Sequence, residues 1–120
     1  AEGSAQVRER LEKTGAPISL VAKKECFYDI FHYEVIGGHT PDSAVIYFDN
    51  GRDTYCITGD ECYVCDNMAC NIPIGICCCG EKNERFIQET HSRGVIPLPF
   101  HDAAILEQYD RLTENIVRIF

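Results

Sequence analysis

With 120 residues, 45% of them apolar and 25% charged, the chain has the composition of an ordinary folded domain, which argues against disorder; no run approaches the roughly 20 apolar residues that a bilayer span needs. A formal net charge of −8, from 19 acidic against 11 basic residues, argues against nucleic-acid backbones or anionic lipid as partners. A single domain over residues 1–120 is expected, without repeat, linker or low-complexity segment.

Residues 1–16 read as an N-terminal helical arm. Val7 and Leu11 lie one turn apart between charged residues from Ser4 to Thr14, and Gly15 and Pro17 end the pattern. Its apolar face is thin. Ile18 to Ile36 is rich in β-branched and aromatic residues and reads as one or two strands stopped by Gly37-Gly38. His39 to Ser43 is a turn by composition. Ala44 to Phe48 and Asp53 to Thr58 then flank Asp49-Asn50-Gly51-Arg52, and Asn-Gly between two aromatic β runs predicts a hairpin.

Gly59 to Pro73 has no periodicity and reads as a loop, followed by an extended, buried Ile74 to Cys79. Glu81 to Arg93 forms a short helix stopped at Gly94. Val95 to Phe100 carries Pro97 and Pro99, which remove amide donors, so it is a connector or an edge strand. From Asp102, a plausible N-cap, to Arg118, apolar residues Ile105, Tyr109, Leu112, Ile116 and Ile119 recur at spacings of three and four, and Glu107–Arg111 and Glu114–Arg118 make i,i+4 pairs. This predicts a C-terminal amphipathic helix packed on a small antiparallel sheet of three to five strands, an α+β domain with a cysteine-rich loop.

Seven of the eight cysteines lie in residues 56–79. The even count and the run Cys77-Cys78-Cys79 point to disulfides, with 105 possible pairings. Alternatively Cys62 and Cys65, with a two-residue gap, would hold zinc with Cys70 and one of Cys77, Cys78 or Cys79. A third account makes them buried thiols that behave as small hydrophobes, Cys26 among them. The segment is acidic: no Lys or Arg occurs between Arg52 and Lys82, which opposes a reactive thiolate.

His39, in Gly-Gly-His-Thr-Pro-Asp-Ser, is the best histidine candidate because loops held by strands carry sites. His32 reads as a core or edge residue, and His91 and His101 as capping or solvated groups. With no nucleophile elbow or phosphate loop, the leading expectation is a non-enzymatic protein-interaction or accessory module, stabilised by disulfides and needing no cofactor, that presents Tyr63, Val64, Met68 and His39 to a protein partner. The alternatives are a structural zinc-binding accessory protein using Cys62, Cys65, Cys70 and Cys77, and a thiol redox protein using Cys62 and Cys65. Disulfides would favour a secreted or organelle-lumenal setting. The absence of an initiator methionine fits a processed terminus and an excised segment equally.

Overall fold

The computed structural model describes residues 2–15 and 23–119, with the side chains of residues 2–4 left aside. Residues 18–22 of the first expected β run lie outside the described residues. Helix α1 (Glu2–Thr14) is held along its surface by the i,i+4 pairs Arg8–Glu12 and Glu9–Lys13, at 3.0 and 2.7 Å, and its described side chains are all exposed.

Strands β1 (Lys24–Phe27), β2 (Phe31–Val35), β3 (Ala44–Asp49), β4 (Thr54–Gly59) and β5 (Ile96–Pro99) form one sheet in that order. The first four pair antiparallel, but β5 runs parallel to β4. The sheet is therefore mixed, which corrects the expected all-antiparallel one. The cause is connectivity: β4 reaches β5 through helices α2 (Cys65–Ala69) and α3 (Gly80–Ser92), the long crossover that parallel pairing requires. Asn50 shapes the β3–β4 hairpin, its Oδ1 accepting from Arg52 N at 3.0 Å and Asp53 N at 2.8 Å.

Pleating separates the two faces of the sheet. Val45 and Cys56 face the helices and make a core with Cys62, Met68, Phe86, Ile87 and Val95. On the opposite face Phe48, Tyr55 and Leu98 cluster with Ile57, Ile96, Tyr109 and Ile119, and the Phe48 and Tyr55 rings stack at 5.3 Å.

The expected loop at Gly59 to Pro73 contains α2, whose start is fixed by side chains distant from a simple propensity argument. The Val64 N–H donates to Asn67 Oδ1 at 3.1 Å and the Cys65 N–H to Asp102 Oδ2 at 2.7 Å. Residues 74–79 form no strand; Ile74 is buried while Ile76 is 74% exposed, so the expected buried run is corrected as well.

The expected C-terminal helix is also corrected. Helix α4 covers only Ile105–Gln108, and β6 (Asp110–Thr113) and β7 (Ile116–Arg118) form a separate hairpin. Glu107–Arg111 pairs at 2.6 Å as the helical spacing predicts, but Arg118 reaches across the hairpin to Asp110 at 2.8 Å. The apolar residues do not share one face: Leu112 and Ile116 are exposed, whereas Tyr109 and Ile119 pack on the second cluster. Among the described residues no helix is long and apolar enough to cross a membrane.

Candidate functional site

Strands β2, β4 and β5 run in the same direction, because β2 and β4 are each antiparallel to β3 and β5 is parallel to β4. Their C-terminal ends therefore lie along one edge of the sheet, the position where loops most often converge on a ligand. The segments leaving these ends carry His39, Asp60 and His101 in turn.

Asp60 lies between the two histidines. Its Oδ2 is 3.5 Å from His39 Nε2 and its Oδ1 is 3.0 Å from His101 Nε2. Tyr63, one turn of loop further on, meets both imidazoles edge-on, with ring centroids 6.0 Å from His39 and 5.4 Å from His101. Asp60, Tyr63, Ile76 and His101 line a pocket of about 370 Å³.

The other nitrogen of His39 defines its tautomer. Nδ1 lies 3.0 Å from the Ile76 carbonyl, which only accepts, so Nδ1 carries the proton. The Tyr63 hydroxyl, 3.3 Å from the same nitrogen, then accepts from it and keeps its own proton for the pocket. In the neutral ring Nε2 bears a lone pair that faces the Asp60 carboxylate. Two acceptors thus face each other across 3.5 Å.

The segments are anchored from behind. Glu61 is fully buried, and its Oε1 accepts from the Gly38 and His39 amides, each at 2.9 Å, and from the Ser43 hydroxyl. Asn83 of α3, also fully buried, donates to both Glu61 Oε2 and the Glu61 carbonyl at 2.8 Å and accepts from Ile74 N at 3.0 Å. The amides of Cys78 and Cys79 bind the His39 and Gly38 carbonyls at 3.1 and 3.0 Å. Asp102, next to His101, accepts from Cys65 N and Ala104 N, and these bonds hold its carboxyl below its ordinary value.

His39 and Tyr63 are thus brought together, while Val64 sits at the surface beside them and Met68 is buried in the core, 2% exposed. Asp60 and His101 were not singled out by sequence reasoning. The available signal was position: each follows the end of a strand, but only the parallel β4–β5 pairing puts those ends together. Glu61 and Asn83 carry no sequence signature.

All eight cysteines are free thiols, which corrects the disulfide expectation. They differ in exposure: Cys56 and Cys62 are buried, Cys65, Cys77 and Cys79 half-buried, and Cys26, Cys70 and Cys78 exposed. Among the described residues no group of three or more His, Cys, Asp or Glu side chains is arranged to hold a metal ion; His39, Asp60 and His101 meet only pairwise, through Asp60. Burial pushes the Cys62 and Cys65 thiols up to about 11, assisted at Cys62 by Cys65 and at Cys65 by Asp102. That is the wrong direction for a redox nucleophile.

No family model and no curated protein sequence matches the chain. Among solved structures it is similar to an N-acyl homoserine lactone hydrolase with the product N-hexanoyl-L-homoserine at its catalytic metal centre, at a TM-score of 0.62 and 14% identity over 82% of this chain and 41% of that one. A B. thuringiensis AiiA variant with N-decanoyl-L-homoserine at the active site gives the same values. AidC, a dizinc quorum-quenching lactonase in complex with N-hexanoyl-homoserine, matches at 0.61 and 11% identity over 82% of this chain and 36% of that one. The chain spans about two fifths of the length of these structures. This likeness corrects the expectation of a non-enzymatic interaction module and its alternatives, a structural zinc accessory protein and a thiol redox protein: the solved structures that share the fold are lactone hydrolases, one with a catalytic metal centre and one dizinc. It also removes support for the expectation that no cofactor is needed.

Proposed function

We propose that this chain carries part of the centre of a zinc-dependent hydrolase that opens an ester or lactone, with His39, Asp60 and His101 as metal-holding residues. The observation that carries the reading is the placement of Asp60 between two imidazole nitrogens, at the C-terminal edge of a sheet whose fold is shared with lactonases. Two imidazoles and a carboxylate suit zinc by ligand type, and a bound ion would draw together side chains that meet only pairwise through Asp60.

When bound, zinc supplies Lewis acidity that polarises a carbonyl and acidifies water. The chain's own groups do the rest. Ile76 and Tyr63 fix His39 in the tautomer whose Nε2 is free to ligate, as an outer partner on the opposite ring nitrogen does in metal sites generally. The carboxylate of Asp60 offers one oxygen toward each histidine. Tyr63 retains a hydroxyl proton beside the pocket, placed to donate to an oxygen that gains negative charge as a substrate carbonyl is attacked. Ile76 gives the pocket an apolar wall.

Because the chain spans only about two fifths of its neighbours' length, zinc binding is the first test and turnover the second. Titrating metal-free protein with zinc by calorimetry is expected to show saturable binding that His39→Ala and His101→Ala each weaken by at least about tenfold. Heat changes identical in wild type and both variants would sink the assignment. Loss of N-hexanoyl-homoserine lactone, followed by chromatography, then tests the substrate class.

A further inference from the structure

We propose that Glu61 is a positioning residue for His39: its buried carboxylate clamps the turn Gly37 to Ser43 so that the imidazole is presented to Asp60 in one orientation and one tautomer. The inference rests on the proposed metal site for its consequence in zinc affinity, but the clamp itself stands on the hydrogen bonds of Glu61.

Three donors from that turn, the Gly38 and His39 amides and the Ser43 hydroxyl, end on one oxygen, Oε1. The other oxygen is held by Asn83, itself tied to Ile74 N, and Ile74 lies two residues before the carbonyl that fixes His39 Nδ1. Glu61 thus governs both supports of the His39 ring: the backbone that carries it and the strand of chain that accepts its Nδ1 proton. It is also the neighbour of Asp60, so one residue sets the distance between the two groups.

The fit is tight. A Cβ at Gly38 would stand 2.4 Å from Glu61 Oε2 and 2.8 Å from Asn83 Cβ, so the backbone approaches the carboxylate as closely as only glycine permits. Buried side-chain nitrogens and oxygens without a partner are absent among the described residues, and a carboxylate that accepts from every facing donor cannot be exchanged for an amide without setting N–H against N–H. In Glu61→Gln the new NH2 faces either the Gly38 and His39 amides or Asn83 Nδ2, and an Asn83 that flips to meet it takes its Oδ1 away from Ile74 N.

The test compares wild type, Glu61→Gln and Ser43→Ala in uniformly 15N-labelled protein without metal. Long-range 1H–15N spectra at mildly alkaline pH report which ring nitrogen of His39 carries the proton. Wild type is expected as the Nδ1–H form, Glu61→Gln as a mixture of both tautomers, and Ser43→Ala as the Nδ1–H form with displaced ring shifts. Zinc titration of the same samples is expected to weaken about 10- to 100-fold in Glu61→Gln and by less in Ser43→Ala. A folded Glu61→Gln with wild-type His39 ring shifts, however much its melting temperature has dropped, would overturn the proposal and leave Glu61 a purely structural residue. If Glu61→Gln does not fold, Ser43→Ala decides, and ring shifts unchanged from wild type overturn the clamp. Should wild type bind no zinc while Glu61→Gln still scrambles the tautomer, the metal reading fails and the clamp stands.

Discussion

The side-chain amide of Asn83 donates to both the carbonyl and the Oε2 of Glu61, at 2.8 Å in each case, and so joins helix α3 to the segment that follows β4. Its own oxygen accepts from Ile74 N at 3.0 Å, and none of these groups has access to water to replace the partner. Asn83→Ala therefore strips a carbonyl, a carboxylate oxygen and an amide of one partner each. At roughly 1 kcal/mol per lost bond, and more where a buried group is orphaned, the expected loss is about 3 kcal/mol. Urea denaturation of wild type and variant measures it, and a loss below about 1 kcal/mol would contradict the network.

Gly38 and Gly75 make a matched pair of tests. Gly38→Ala drives a methyl into Glu61 Oε2 and Asn83 Cβ, whereas a Cβ at Gly75 meets nothing within 4 Å. Overpacking against backbone and buried polar atoms costs about 1–3 kcal/mol, so Gly38→Ala is expected near the upper end and Gly75→Ala within about 0.5 kcal/mol of wild type. Equal melting temperatures for the two variants would remove the close approach from the argument.

Much of the sheet is legible in the sequence, for local reasons. The β3–β4 hairpin follows from Asn50-Gly51 between aromatic runs, and α3 follows from its apolar pair Phe86 and Ile87 and a stop at Gly94. His39 is legible as a candidate because it sits on a glycine-rich turn between strands. Asp60 and His101 are not, since 41 residues separate them and their meeting depends on the parallel pairing of β4 with β5, a non-local event. The cysteine density misleads for a different reason. Cys56 and Cys62 fill core space as small hydrophobes would, and Cys78 and Cys79 contribute backbone amides to the His39 turn.

The thiols give a pH-dependent prediction. Burial, with Cys62 second, pushes Cys56 up to about 12, and Cys62 and Cys65 reach about 11 against an ordinary value of 9.0. The folded chain thus holds these protons over a range in which the unfolded chain releases them. Stability from this source is fully present below about pH 9 and falls as pH rises from there toward 11 and 12. A melting temperature that rose between pH 9 and 11 would contradict the sign. Brief alkylation of native protein at pH near 8 is expected to label Cys26, Cys70 and Cys78 first and Cys56 and Cys62 last, read by peptide mass mapping.

The C-terminal segment distinguishes a hairpin from a helix by which apolar residue matters. In a single helix Tyr109, Leu112 and Ile116 would share one buried stripe, and truncating any of them would cost similar amounts. In the hairpin, Tyr109 packs on Phe48, Tyr55 and Leu98, while Leu112 is 59% exposed. Tyr109→Ala is therefore expected to cost about 2 kcal/mol or somewhat more, less than a fully buried aromatic because the ring is only partly covered. Leu112→Ala is expected to stay within about 0.5 kcal/mol of wild type. Asp110→Ala, which breaks an exposed pair with Arg118, is expected to cost less than about 1 kcal/mol. Chemical denaturation of the three variants orders them as Tyr109, then Asp110 and Leu112 together; a Leu112→Ala loss matching that of Tyr109→Ala would restore the helix.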